Sequence, residues 1–206
     1  LGEAQQTKLA AMEAMWETEP APAGFNIIAG INEAEQKNDW ALHVPYVMGL
    51  IGTRSVDTEI LGIHDIKKLN ADRIINGVTA VSALDLMREN KLNGVENPQA
   101  LIEIFEAHKE DLGFGLLLKK YTDDMAEVTP QMLSQAVDDS VPRVTPMFWS
   151  FRVMVGMGML MLVLYSLCLF FTLKGNFMQK KWLLKFALLM LPAPWIAIEA
   201  GWLVAE

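Results

Sequence analysis

Apolar and polar positions are distributed very unevenly along this chain. Val153 to Leu173 gives 21 residues without a charge. As a helix these span roughly 31 Å, about the thickness of a bilayer core. A short polar loop follows, then a second apolar stretch from Trp182 to Glu206. Pro192 and Pro194 lie inside it, which predicts a kink with freed carbonyls that need neighbours. The earlier part reads as mostly helical. Gln5 to Trp16 is rich in helix formers and is ended by Pro20 and Pro22. Residues 23–63 mix apolar runs with glycines and read as irregular with short elements. Ile66 to Asn90 carries Leu69, Ile74, Val78, Val81 and Leu84 at near-helical spacing. Asn97-Pro98 starts a helix through His108, and Thr129-Pro130 starts another, with Thr as N-cap and Pro at the first position.

The expected architecture is an all-α membrane protein, a transmembrane helix bundle fragment with a long, largely helical extracytoplasmic loop. Residues 1–148 form the loop region. Residues 149–206 form two transmembrane helices, about 149–173 and 182–206.

Charge sharpens that division. Residues 1–148 hold 12 Lys and Arg against 23 Asp and Glu, whereas residues 149–206 hold 5 against 2. Lys174, Lys180, Lys181 and Lys185 cluster between the apolar segments with no acid among them, so the positive-inside rule makes that loop cytoplasmic. The acidic region, Arg152, Met154 and Glu206 then fall on the outer side. No basic run interleaves with aromatics, which argues against nucleic acid as a partner. The single cysteine, Cys168, excludes an intrachain disulfide. Residues 1–20 do not read as a cleavable signal peptide. With no initiator methionine and an apolar last segment, the chain reads as an internal piece of a longer membrane protein.

Chemistry is concentrated in few places. Ionisable groups in membrane helices are costly and tend to mark proton routes or cofactor sites, which singles out Glu199 and Glu206. Trp195, Glu199, Trp202 and Glu206 are spaced four, three and four apart and share one helical stripe. Such a stripe suits protein or a large planar ligand; the competing reading is anchoring at headgroup depth. Lys8 and Glu13 are five apart, about 140° around a helix, which is wrong for an intrahelical ion pair. Taken alone they read as two solvated surface charges. His43, His64 and His108 lack metal-ligand spacing. Gly156 and Gly158 point to close helix packing.

Several blocks together resemble one family. Gln6-Thr7-Lys8-Leu9-Ala10-Ala11-Met12-Glu13-Ala14 and Trp16-Glu17-Thr18-Glu19-Pro20-Ala21-Pro22-Ala23 resemble the start of the quinol-binding loop in subunit I of the cytochrome bd ubiquinol oxidases. Gly52-Thr53-Arg54-Ser55-Val56-Asp57-Thr58, Asp111-Leu112-Gly113-Phe114-Gly115-Leu116-Leu117-Leu118-Lys119 and Pro142-Arg143-Val144 follow in family order. So do Phe151-Arg152-Val153-Met154-Val155, Lys180-Lys181-Trp182-Leu183-Leu184 and Pro194-Trp195-Ile196-Ala197-Ile198-Glu199-Ala200-Gly201-Trp202. The loop's length resembles that of the long-loop branch.

The resemblance implies a respiratory terminal oxidase. It would oxidise quinol (ubiquinol or menaquinol) and reduce oxygen to water through haems b558, b595 and d, generating a proton gradient. It would sit in the bacterial inner membrane with the loop on the periplasmic side, beside subunit II and membrane lipid. Lys8 and Glu13 match positions serving quinol oxidation. Met154 matches an axial ligand of haem b558 iron. Periodicity cannot choose among Met154, Met157, Met159 and Met161; only the Phe-Arg-x-Met match does. Arg152 matches a position associated with the same haem, where a guanidinium can also neutralise propionates. Glu206 matches the carboxylate at haem b595 iron, and Trp202 an aromatic near that haem pair. Glu199 joins them as a cofactor-facing candidate by its place on the stripe alone. The family's early histidine ligands and its Gly-Arg-Gln-Pro-Trp signature lie outside this chain, so the fragment alone is expected to be inactive. The rival reading is a two-helix membrane anchor carrying an extracytoplasmic sensor or binding domain.

Overall fold

The structure, a computed structural model, describes residues 5–21, 23–48 and 59–205. Its elements in order are α1 (Gln6–Glu13), β1 (Phe25–Asn32), β2 (Lys37–Val44), α2 (Ile63–Leu92), α3 (Gln99–His108), α4 (Leu112–Gly115), α5 (Pro130–Asp139), α6 (Val144–Leu173), α7 (Lys181–Leu189) and α8 (Ala193–Ala205), with short 3-10 turns between some of them. Two compact units result, one of Leu1–Ala10, Met15–Gly24 and Pro45–Pro142, the other of Ala11–Ala14, Phe25–Val44 and Arg143–Glu206.

The first unit is built on α2. Its opening N–H groups would be orphaned as at any helix start. Here Ile63 N donates to Met15 O (2.8 Å) and His64 N to Trp16 O (3.1 Å). Thr18 closes the same corner, donating from Oγ1 to Asp65 Oδ2 (2.6 Å) and accepting from Gly62 N (3.0 Å). Of the apolar positions that predict α2, Ile74 and Val81 are fully buried with Leu118, Met125 and Ala136, whereas Leu69 is half exposed. Gly77 and Gly115 let α2 and α4 meet backbone to backbone: a Cβ on Gly77 would fall 2.4 Å from Gly115 N. α5 begins as its Thr-Pro signal predicts, with Thr129 Oγ1 accepting from Met132 N.

The second unit corrects the all-α expectation. Residues 25–44, read as irregular, form an antiparallel hairpin with Phe25 opposite Val44, Asn26 opposite His43 and Gly30 opposite Trp40. Register shifts between Asn26 and Ile28 and between Gly30 and Ile31 interrupt the period-2 pattern that would have revealed it. The turn is set by Asn32 Oδ1, which accepts from Glu35 N (3.1 Å), and by Gln36 at φ 51°.

The chain is otherwise mainly helical, and two of its helical stretches are long and apolar enough to cross a membrane. Only 6% of the most apolar part of Pro130–Leu173, and 17% of that of Lys181–Ala205, is buried. Helices this apolar with outward-facing side chains suit lipid or neighbouring subunits rather than an aqueous surface. α6 begins at Val144, five residues before the expected start, and at 30 residues is roughly 45 Å long. The second span is broken rather than kinked: α7 stops at Leu189 and α8 restarts at Ala193. Pro194 lies in the first turn of α8, where its missing N–H costs no intrahelical bond. Leu164, Leu183, Met190 and Ala193 form the core joining these helices. A Cβ on Gly156 or Gly158 would meet nothing within 4 Å, so among the described residues they do not make the expected helix contact. That contact belongs to Gly201, where a Cβ would fall 3.0 Å from the Met154 sulfur.

Candidate functional site

The second unit's polar site forms where the end of α1, the hairpin and the first turns of α6 meet. Residues from Leu9 to Met15 are all buried, Glu13 among them with its side chain only 1% exposed. Such a carboxylate needs a countercharge and hydrogen bonds. Arg152, 139 residues later on α6, supplies both: Nη2 lies 2.6 Å from Glu13 Oε2 and Nη1 lies 3.3 Å from Oε1. This forked pairing is what a guanidinium achieves and an ammonium does not. Nη1 also donates to Met12 O, and Nη2 to Asn26 O. Phe148, Phe25 and Phe151 surround the guanidinium carbon, their ring centres 3.8, 4.8 and 5.3 Å away. Arg152 Nε is buried without a hydrogen-bond partner among the described residues.

The hairpin fixes the surroundings. Asn26 Nδ2 donates to Glu13 O (2.9 Å) and Asn38 Nδ2 to Ala14 O (2.9 Å). His43 Nδ1 lies 3.3 Å from Asn26 Oδ1. At the hairpin's tip, Glu33 Oε1 accepts from Thr145 N (2.6 Å), and its carboxylate approaches Arg143 (3.9 Å). An acid at the start of α6 complements the helix dipole. Burial alone would raise the Glu33 pKa, but the Thr145 bonds, Arg143 and Val144 together outweigh it and hold the carboxyl below its ordinary value.

The other candidates are dispersed. Lys8 is half-buried earlier on α1. Met154 is half-buried, with its sulfur against Gly201 of α8. Two residues apart on α6, Arg152 and Met154 leave the helix about 200° apart, so they address different sides of it. Glu199 is exposed, as are Trp195 and Trp202 on the same stripe, while Ala193 and Ala200 of α8 are buried. Glu206, Pro22 and the block Gly52 to Thr58 lie outside the described residues. His64 stands by Trp16 and Glu17, and His108 bonds to Ile104 O. Among the described residues no three His, Cys, Asp or Glu side chains are grouped to hold a metal ion.

Sequence reasoning missed Asn26, Asn38 and Glu33. Asparagine is depleted in strands, so a buried Asn26 becomes a signal only once the hairpin is known.

A buried arginine–carboxylate pair lies on a long, outward-facing apolar helix, one of two helical stretches long and apolar enough to cross a membrane. The chain belongs to the cytochrome bd terminal oxidase subunit I family, whose description matches residues 1–206. It is 39% identical over 206 residues to the cytochrome bd-II ubiquinol oxidase subunit 1 of Escherichia coli (strain K12), covering 100% of this chain and 39% of that protein. It is 22% identical over 206 residues to the cytochrome bd ubiquinol oxidase subunit 1 of Bacillus subtilis (strain 168), covering 100% of this chain and 31% of that protein. The chain therefore spans about a third to two fifths of the length of these relatives.

The donor set fits haem in part. Met154 offers one soft thioether, and Arg152 Nε, on a different side of α6, is a buried donor with no partner among the described residues. Neither makes a complete site.

Proposed function

We propose that this chain is the quinol-oxidising loop and the two following transmembrane helices of a bacterial terminal oxidase, a quinol:oxygen oxidoreductase of the cytochrome bd type. The observation that carries this reading is the buried Glu13–Arg152 pair, which joins the loop's first helix to the helix that carries Met154. Family membership over the whole chain supports it.

Glu13 accepts the proton of a quinol hydroxyl, and Arg152 holds the carboxylate in position until then. Lys8 presents an ammonium that hydrogen-bonds the quinol oxygen and favours its anionic form. Met154 would hold haem b558 through its thioether, and that haem when bound would supply a one-electron acceptor. Trp202, Glu206 and Glu199 would be the residues of this chain that hold haem b595, with the Glu206 carboxylate as the ligand type offered to its iron. Haem d, oxygen and subunit II belong to the intact assembly, in which the proton gradient arises.

In the full-length enzyme, Glu13→Gln and Lys8→Met are expected to lower quinol turnover by about 10²-fold, within the usual range for loss of a positioned acid or base. Reduced-minus-oxidised haem spectra should stay near normal. Unchanged turnover and unchanged quinol KM in both variants would return these residues to structural roles.

Orientation is part of the same proposal: the loop region lies on the periplasmic side and the lysine-bearing turn at 174–181 in the cytoplasm. Single cysteines placed at exposed positions such as Leu92 or Glu103 should react with a membrane-impermeant maleimide applied to spheroplasts. Labelling only after permeabilisation would reverse the orientation.

A further inference from the structure

We propose that Asn26 and Asn38, one from each strand of the hairpin, are positioning residues for Glu13, and that the hairpin serves to set the carboxylate against Arg152. The inference rests on the reading of Glu13 as the proton acceptor.

Helix ends leave carbonyls without intrahelical partners. α1 ends at Glu13, and Ala14 then takes a left-handed conformation (φ 50°) usually supplied by glycine. An alanine in that conformation is unfavourable in isolation, so the surroundings must hold the turn. The two carbonyls flanking the bend, Glu13 O and Ala14 O, each accept from an asparagine amide at 2.9 Å. One asparagine comes from β1 and the other from β2, so the pairing of the strands fixes their separation. A bend gripped at both carbonyls leaves the Cα of Glu13 little freedom.

Asn26 has a further connection. Its main-chain oxygen accepts from Arg152 Nη2, while its side chain holds the Glu13 backbone. Asn26 therefore touches both partners of the ion pair and sets their spacing. It is itself buried at 6% exposure, and His43 across the strand pair faces its Oδ1, which orients the amide with Nδ2 toward Glu13. At the other end of the hairpin, Glu33 is fixed to the start of α6 through Thr145 N. The hairpin is thus secured to the helix carrying Arg152 at two points and to the residue pair Glu13–Ala14 at two others. This arrangement controls distance and angle at one carboxylate, the quantity on which proton transfer depends most steeply.

The test uses the intact oxidase with Asn26→Leu, Asn38→Leu and Asn26→Ser, each alone and combined with Glu13→Gln, assayed with a short-chain quinol. Asn26→Leu is expected to lower kcat/KM about tenfold, mainly through kcat, since small misplacements of a reacting group carry penalties of that order or more. Asn26→Ser, which keeps a shorter donor, should lose less. Oxygen consumption driven by an artificial one-electron donor, and the haem spectrum, should be unchanged. In the Glu13→Gln background the asparagine substitutions should cause no further loss, because they act through the carboxylate; a general structural defect would be additive. An asparagine effect that persists undiminished in that background overturns the proposal, as does wild-type kcat/KM in Asn26→Leu and Asn38→Leu. If Glu13→Gln itself behaves as wild type, the reading of Glu13 falls first and this inference with it. A normal Glu13→Gln defect beside silent asparagines removes only the inference.

Discussion

Arg152→Leu is expected to destabilise the loop-to-helix junction by about 3–5 kcal/mol, the usual penalty for removing one partner of a buried ion pair. The loss is large because Glu13 would remain at 1% exposure without the Arg152 guanidinium. Met12 O and Asn26 O would lose their donors in the same step. Three aromatic rings now packed on a planar cation would face an aliphatic side chain of different shape. Arg152→Lys keeps the charge but cannot reproduce the fork or reach both backbone oxygens, so it should fall between wild type and Arg152→Leu. The double variant Glu13→Leu/Arg152→Leu separates stability from function. It removes both charges, so it should recover much of the stability lost in Arg152→Leu, while quinol oxidation stays lost. Thermal inactivation midpoints of the purified oxidase and quinol turnover, measured on wild type and these three variants, check this. A midpoint for Arg152→Leu equal to wild type would mean that the pair is open to water in the working enzyme.

That pair could not have been found by spacing. Lys8 and Glu13 stand out together because they are close in sequence, yet the guanidinium that pairs with Glu13 lies 139 residues away. Burial of Glu13 follows from packing around a nearly uniform run of Ala, Leu and Met on α1, a segment with no pronounced polar face. The helices whose boundaries were legible carry their own start signals: Thr129-Pro130 before α5, Asn97-Pro98 before α3, and a long periodic stripe in α2. Even there the stripe predicted too wide a core, since Leu69 remains half exposed. The hairpin was hidden because two register shifts and a glycine under Trp40 break the alternation. Pro192 and Pro194 located the interruption in the second span, but whether two prolines kink a helix or end it depends on the turn that Met190 makes with Ala193. Gly156 and Gly158 point in the sequence to close packing, whereas among the described residues the small residue that admits a neighbour is Gly201, whose importance depends on which helix comes to face it.

Met154→Leu is the second substitution with a large expected effect. Leucine nearly matches the volume of methionine, so packing against Gly201 should survive with a cost below about 1.5 kcal/mol. What disappears is the thioether. If Met154 fills an axial position of haem b558, as its place two residues after Arg152 in the Phe-Arg-x-Met run implies, the low-spin signal should be lost or become high-spin. The potential of any haem that remains should fall, because a thioether ligand raises it. Neighbouring methionines provide the control. Met157 and Met161 pack against the Leu164 and Leu183 core, and Met159 is 58% exposed. Met157→Leu, Met159→Leu and Met161→Leu should therefore leave the spectrum intact. Gly201→Ala probes the same sulfur from the opposite helix: its new Cβ would press on Sδ at 3.0 Å and displace it. That variant should shift the b558 absorption or potential without removing any ligand atom. A low-spin spectrum retained in Met154→Leu but lost in one of the other three would transfer the ligand to that residue. A spectrum unaffected by all four, and by Gly201→Ala, would remove the axial ligand from α6 altogether.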